Sequence, residues 1–176
     1  MTVEQLLSQL ASQGVRVEAK AGKWYWKTLD VLLKIISFGQ LTKFMTEYTT
    51  TIGNTIATPA VWDSYPDSVK IEILSHESVH VRQYQRYGFG NAWIGIFPVG
   101  FAYLFLPFPI GLAYCRARLE WEAYAESLRL NRSLDKDFLV SQFTGPGYLW
   151  MWPFKSQVEG WYEAEVRKLD ASTTNQ

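Results

Sequence analysis

Val3, Leu6, Leu7 and Leu10 recur three and four positions apart, the spacing of one helix face, and Gly14 ends that short helix. A second helical pattern runs from about Trp26 to Ile36 and stops at Gly39. Between Glu47 and Thr58 the pattern changes to β-branched residues, polar on one side, with Gly53-Asn54 in the middle. That predicts a β-hairpin, or one strand bulged at Gly53, ending at Pro59. Tyr65-Pro66-Asp67-Ser68 then supplies a helix start, and a long helix follows to about Tyr87, stopped by Gly88.

From Tyr87 to Cys115 there is no charged residue. Arg116 to Asn131 reads as a charged amphipathic helix. An aromatic stretch over Gly145–Phe154 precedes a last helix from about Gln157 to Leu169, and the tail from Ala171 to Gln176 is expected to fray. No repeat period and no low-complexity tract interrupts this order.

The chain has 176 residues, one ordinary domain's worth, with 48% hydrophobic and 19% charged residues, so a sizeable core is within reach and disorder is excluded. Lys+Arg and Asp+Glu both number 17. A neutral balance argues against nucleic acid as the main partner, because phosphate binding needs a basic surface. The one cysteine, Cys115, cannot form an internal disulfide and reads as a core residue. The first twenty residues lack a basic start and a continuous apolar run, so no signal peptide is read and a cytoplasmic location is expected.

Chemistry enters in the long helix, which carries His76-Glu77-Ser78-Val79-His80. At about 100° per residue the two imidazoles lie one turn apart on one face, able to meet one tetrahedral ion. Glu77 projects beside that face, placed to take a proton from a metal-activated water without being a ligand. Zinc suits two imidazoles and a carboxylate, and these are the chain's only two histidines. Leu74 and Ser78 are expected on the opposite helix face, packed on a sheet.

With these residues the chain resembles the zincin metallopeptidases over roughly 47–126. The resemblance implies a sheet beside the active-site helix whose edge strand pairs with an extended substrate, and Thr50 to Pro59 is the matching piece. The metzincin extension is excluded, since the chain continues Val81-Arg82-Gln83-Tyr84-Gln85-Arg86 with no third histidine. Glu120-Trp-Glu122-Ala-Tyr124-Ala-Glu126 resembles the E-x-E-A-D element of gluzincins, whose first Glu binds the metal and maps onto Glu120. Tyr124 stands where that group has Asp, which keeps Glu122 as the alternative ligand.

The faces of this helix bear on the choice. Glu120 and Glu122 are about 200° apart and cannot both reach one ion. Glu120 shares its side with Arg116, Ala123 and Tyr124, the more apolar one, whereas Glu122 shares its side with Arg118, Ala125 and Glu126. Tyr124, Arg116 and Tyr84 are the candidates for stabilising an oxyanion or orienting a ligand.

If one ion touches both His80 and Glu120, the uncharged segment must return to the side it left, because a straight membrane crossing separates its ends by about 30 Å. Pro98, Pro107 and Pro109 are placed to break it into two arms. It reads as a buried helical hairpin, as an interfacial insertion, or as a surface for a protein partner. Tyr148, Trp150 and Trp152 add to the case for membrane-surface contact through 87–115 and 145–154, a peripheral association.

The expected fold is α+β and helix-rich: a zincin-like active-site helix on a small hairpin or sheet, with a hydrophobic helical hairpin. The expected organisation is a single domain over 1–176, with N-terminal helices in 1–46, a metal-site core in 47–130 and a helical, aromatic-rich segment in 131–176. The expected function is zinc-dependent hydrolysis of a peptide or protein substrate, with Zn²⁺ on His76, His80 and Glu120 and Glu77 as general base. The alternative is a catalytically silent zincin-fold protein, membrane-associated or engaged in assembly or peptide binding.

Overall fold

A computed structural model of the chain describes residues 1–104, 112–148 and 150–174. The chain divides into two compact units, Met1–Gly100 and Phe101–Gln176.

The first unit is built on a three-stranded mixed sheet of order β1-β3-β2. β2 (Thr50–Ile52) and β3 (Thr55–Thr58) form the expected antiparallel hairpin, with Thr51 opposite Ile56. Gly53 turns it at φ +61, a conformation that favours glycine. β1 (Arg16–Ala19) lies parallel to β3 with Val17 opposite Ile56. This strand falls inside the segment expected to hold only helices. Its four residues are too short for a period to declare itself, and its pairing with β3 is what makes it a strand.

Side chains alternate across a sheet, and the two faces bury different partners. Ile56 packs with Val3, Leu6 and Leu10 of α1 (Val3–Ser12) and with Leu74 and Val81 of α3 (Asp67–Tyr87). The next residue, Ala57, packs on the other face with Phe44 and with Trp26 of α2 (Trp24–Ile36). The apolar spacing of α1 is therefore the face read from the sequence. Thr2 and Gln5 cap it reciprocally, each side chain bonded to the other's backbone N–H. Ser78 is half-buried, donates to the Ser75 carbonyl and accepts from Arg82. Glu77 lies nearer the sheet side, because Leu74, Glu77 and Val81 follow the three-and-four spacing of one face.

α4 (Ala92–Leu104) carries Pro98 within it, so that proline does not break the helix as expected. Pro107 and Pro109, and with them the second arm of the expected hairpin, lie outside the described residues. Nor is α4 a wholly buried helix. Ala92, Gly95 and Val99 are buried, whereas Trp93, Ile94, Phe97 and Phe101 face outward. No helix among the described residues is long and apolar enough to cross a membrane.

The second unit packs α5 (Tyr114–Leu130), α6 (Lys136–Thr144) and α7 (Lys155–Thr174). Ala117, Trp121, Tyr124 and Leu128 of α5 meet Leu139, Val140 and Phe143 of α6, with Met151, Trp152 and Val158 closing the core. α6 is capped by Asp135, whose side chain accepts from the Phe138 N–H at 2.6 Å. Helix α7 continues through Thr174, so Ala171 to Thr174 are helical where fraying was expected.

Gly95 marks the tightest approach in the first unit. A Cβ built there would run into the Tyr84 carbonyl oxygen of α3, and its next neighbours are also Tyr84 backbone. Gly95→Ala should therefore destabilise the fold by about 1–3 kcal/mol through forced separation of the two segments. Urea denaturation checks this, and an unchanged midpoint would show that the contact is not close.

Candidate metal centre

α3 divides its sides between core and chemistry. The His76 and His80 rings, both half-buried, lie 5.2 Å apart centroid to centroid and are inclined at 70°. Their neighbour Glu77 is buried, and its Oε2 accepts a 2.6 Å hydrogen bond from the Thr51 hydroxyl of β2. Two further side chains, Gln83 and Tyr84, tie this arrangement down. His80 Nδ1 lies 2.9 Å from Gln83 Oε1, a contact that orients the imidazole. Gln83 is itself buried. Tyr84 donates its hydroxyl to the Thr51 carbonyl at 3.3 Å, a second link between this helix and β2.

In the second unit, α5 turns its sides as the sequence indicates. Glu120 is 2% exposed, whereas Glu122 is exposed. Arg116, Ala123 and Tyr124 are buried on the Glu120 side. The Tyr103 hydroxyl donates to Glu120 Oε1. The Arg116 guanidinium lies 5.6 Å from the Tyr103 ring centre and donates to the Tyr148 carbonyl at 2.6 Å. Tyr124 places its ring 5.6 Å from that of Phe143, within the helical core.

Thr51, Gln83 and Tyr103 were not anticipated. Gln83 was legible in principle, since a residue three positions after His80 returns to the same helix side. Thr51 and Tyr103 had no local signal, because each meets its carboxylate only through tertiary packing.

No protein-family model, curated protein or solved structure matches this chain.

One further group bears on Glu77. Lys20, directly after β1, is fully buried, and its ammonium donates to the carbonyls of Phe44 and Tyr48 and to the Thr50 hydroxyl at 2.6–2.8 Å. It also sits 3.8 Å above the centre of the Phe44 ring. Burial pulls its pKa down from 10.5 to about 7, against the opposing pull of Glu77 and Asp30. Because the folded value lies below the unfolded one, the unfolded chain binds the extra proton between them, and stability rises with pH across that window. Relative to Lys20→Met, the native chain should gain up to about 1.4 kcal/mol per pH unit above pH about 7, with a constant difference below it. Denaturant titrations of both proteins from pH about 6 to about 9 measure this, and a pH-independent difference would remove the desolvated ammonium from the account.

Proposed function

We propose that this chain is a zinc-dependent peptidase in which His76, His80 and Glu120 hold the ion and Glu77 is the general base. The observation that carries the reading is the state of α3. The chain's two histidines stand one turn apart there, and the glutamate beside them is fixed by a hydroxyl from the neighbouring strand. His76 and His80 on α3, with the buried Glu120 on α5, are the ligands that the sequence pattern points to. Two imidazoles and one carboxylate are a donor set that catalytic zinc accepts, with a position left for water.

When bound, zinc supplies Lewis acidity, making a water acidic near neutral pH and polarising the substrate carbonyl. The other steps belong to the chain's own residues. Gln83 orients the His80 imidazole, and Tyr103 fixes the orientation of Glu120. Thr51 occupies Oε2 of Glu77, so Oε1 takes the proton from water and passes it to the leaving amine. β2 is an edge strand, and an extended peptide pairing along it would run beside Glu77. Tyr84, one turn beyond His80, is the oxyanion donor on the same helix, and its long bond to Thr51 is cheaply exchanged for one to substrate.

Purified protein reconstituted with Zn²⁺ should hold about one ion per chain, and His76→Ala or His80→Ala should lose it. Glu77→Gln should keep zinc and fold while peptide hydrolysis falls about 10²–10⁴-fold. Elemental analysis with a peptide-library assay distinguishes the outcomes. No zinc would overturn the reading, and zinc without turnover in the native chain would leave a metal- or peptide-binding protein instead.

The ligand assignment has its own test. Glu120→Ala should weaken zinc binding at least about tenfold, or 1.4 kcal/mol, whereas Glu122→Ala on the exposed side should change it little. Competitive chelator titration of both variants decides, and a loss confined to Glu122→Ala would transfer the role to Glu122.

A further inference from the structure

α2 is apolar on two sides, and only one of them is used. Trp26, with Leu29 and Leu33, packs inward with Phe44 and Ala57. On the opposite side Trp24, Val31 and Ile35 follow one another at seven- and four-residue spacings, so they form a single stripe along the helix, and Phe38 lies just beyond its end. The stripe is open to solvent: Trp24 is 76% exposed, Ile35 68% and Phe38 89%. From Trp24 to Ile35 it extends about 17 Å along the helix axis. Scattered exposed apolar residues are ordinary on a soluble protein, but a continuous stripe on a helix already packed through its other side is not.

The end of the stripe is built at a conformational cost. Phe38 follows the helix at φ +51, a left-handed conformation that a bulky side chain rarely adopts, and it presents its ring outward. Nothing in the first unit's core takes up that ring.

Charge selects the occupant. From Ala19 to Met45 the chain carries five lysines and a single carboxylate, Asp30, although the whole protein is neutral. Lys20 is buried, and Asp30 is paired with Lys34 at 2.7 Å. Lys23 and Lys27 are exposed at the Trp24 end of the stripe. Long lysine stems flanking an apolar stripe, with a tryptophan at its end, are the features of a helix lying in the plane of a membrane surface, its cations among anionic headgroups.

We propose that α2 is an interfacial anchor for an anionic lipid surface, with Trp24, Val31, Ile35 and Phe38 entering the acyl boundary and Lys23 and Lys27 contacting headgroup phosphates or carboxylates. Vesicles are the test, using the full chain. It should sediment with mixed phosphatidylcholine–phosphatidylserine vesicles, bind pure phosphatidylcholine more weakly, and be released as salt rises. The double substitution Val31→Asp, Ile35→Asp should cut binding at least about tenfold with an unchanged melting temperature, since both positions face solvent. Lys23→Glu with Lys27→Glu should remove the preference for anionic vesicles. Any of four results would overturn the proposal: a chain that stays in the supernatant with both vesicles, Asp variants that bind like the parent, binding abolished by Phe97→Glu on α4 and not by the Asp pair, or light scattering that shows a dimer split by the Asp pair with no vesicle binding at all.

Discussion

Burying a lysine costs free energy unless every proton finds an acceptor, and the first unit is arranged around one that does. Lys20 stands at the end of β1 and reaches Phe44, Tyr48 and Thr50, so the irregular stretch before β2 is gathered onto a single ammonium. Thr50 opens β2, and the next residue, Thr51, holds Glu77. Tyr84 then returns from α3 to the Thr51 carbonyl. The orientation of the carboxylate beside the two histidines thus depends on a cation far upstream. The same cation feels Glu77 electrostatically, and that attraction opposes the pull of burial on its pKa.

Helix periodicity does the rest of the positioning. With about 100° between successive residues, His76 and His80 share a side while Glu77 turns toward the sheet. There it joins the spacing of Leu74 and Val81, which pack against Ile56. One helix can in this way supply core contacts, a buried carboxylate and two ring nitrogens without conflict, because these fall on adjacent angular sectors. α5 works under the same rule in the second unit: Ala117, Trp121, Tyr124 and Leu128 fill the core, Glu120 is buried, and Glu122, two positions on, faces water.

The aromatic residues serve two ends. Trp121, Phe143 and Trp152 build the core of the second unit, where a small three-helix unit needs large side chains to bury enough area. Trp24, Phe38, Trp93 and Phe97 are left in solvent by α2 and α4, each packed through its opposite side. Composition reports both groups alike as apolar surface. Burial separates them, and the second group remains as apolar surface in solvent.

Local periodicity made α1, α3, α5 and the hairpin at Gly53 legible in the sequence, because each is dictated by contacts within a few residues. It also gave the inward side of Glu120 and the shared side of His76 and His80. It did not reveal β1, whose four residues become a strand only on pairing with β3. Pro98 looked like a break yet lies within α4, on its exposed side. Above all, the sequence offered no sign that Thr51 would hold Glu77, that Tyr103 would hold Glu120, or that Lys20 would be buried. Those pairings join residues far apart in the chain, and a hydrogen bond of that kind leaves no period behind. What the sequence determined by itself is which chemical groups share a helix side; which partners orient them was decided only when the strands and helices packed.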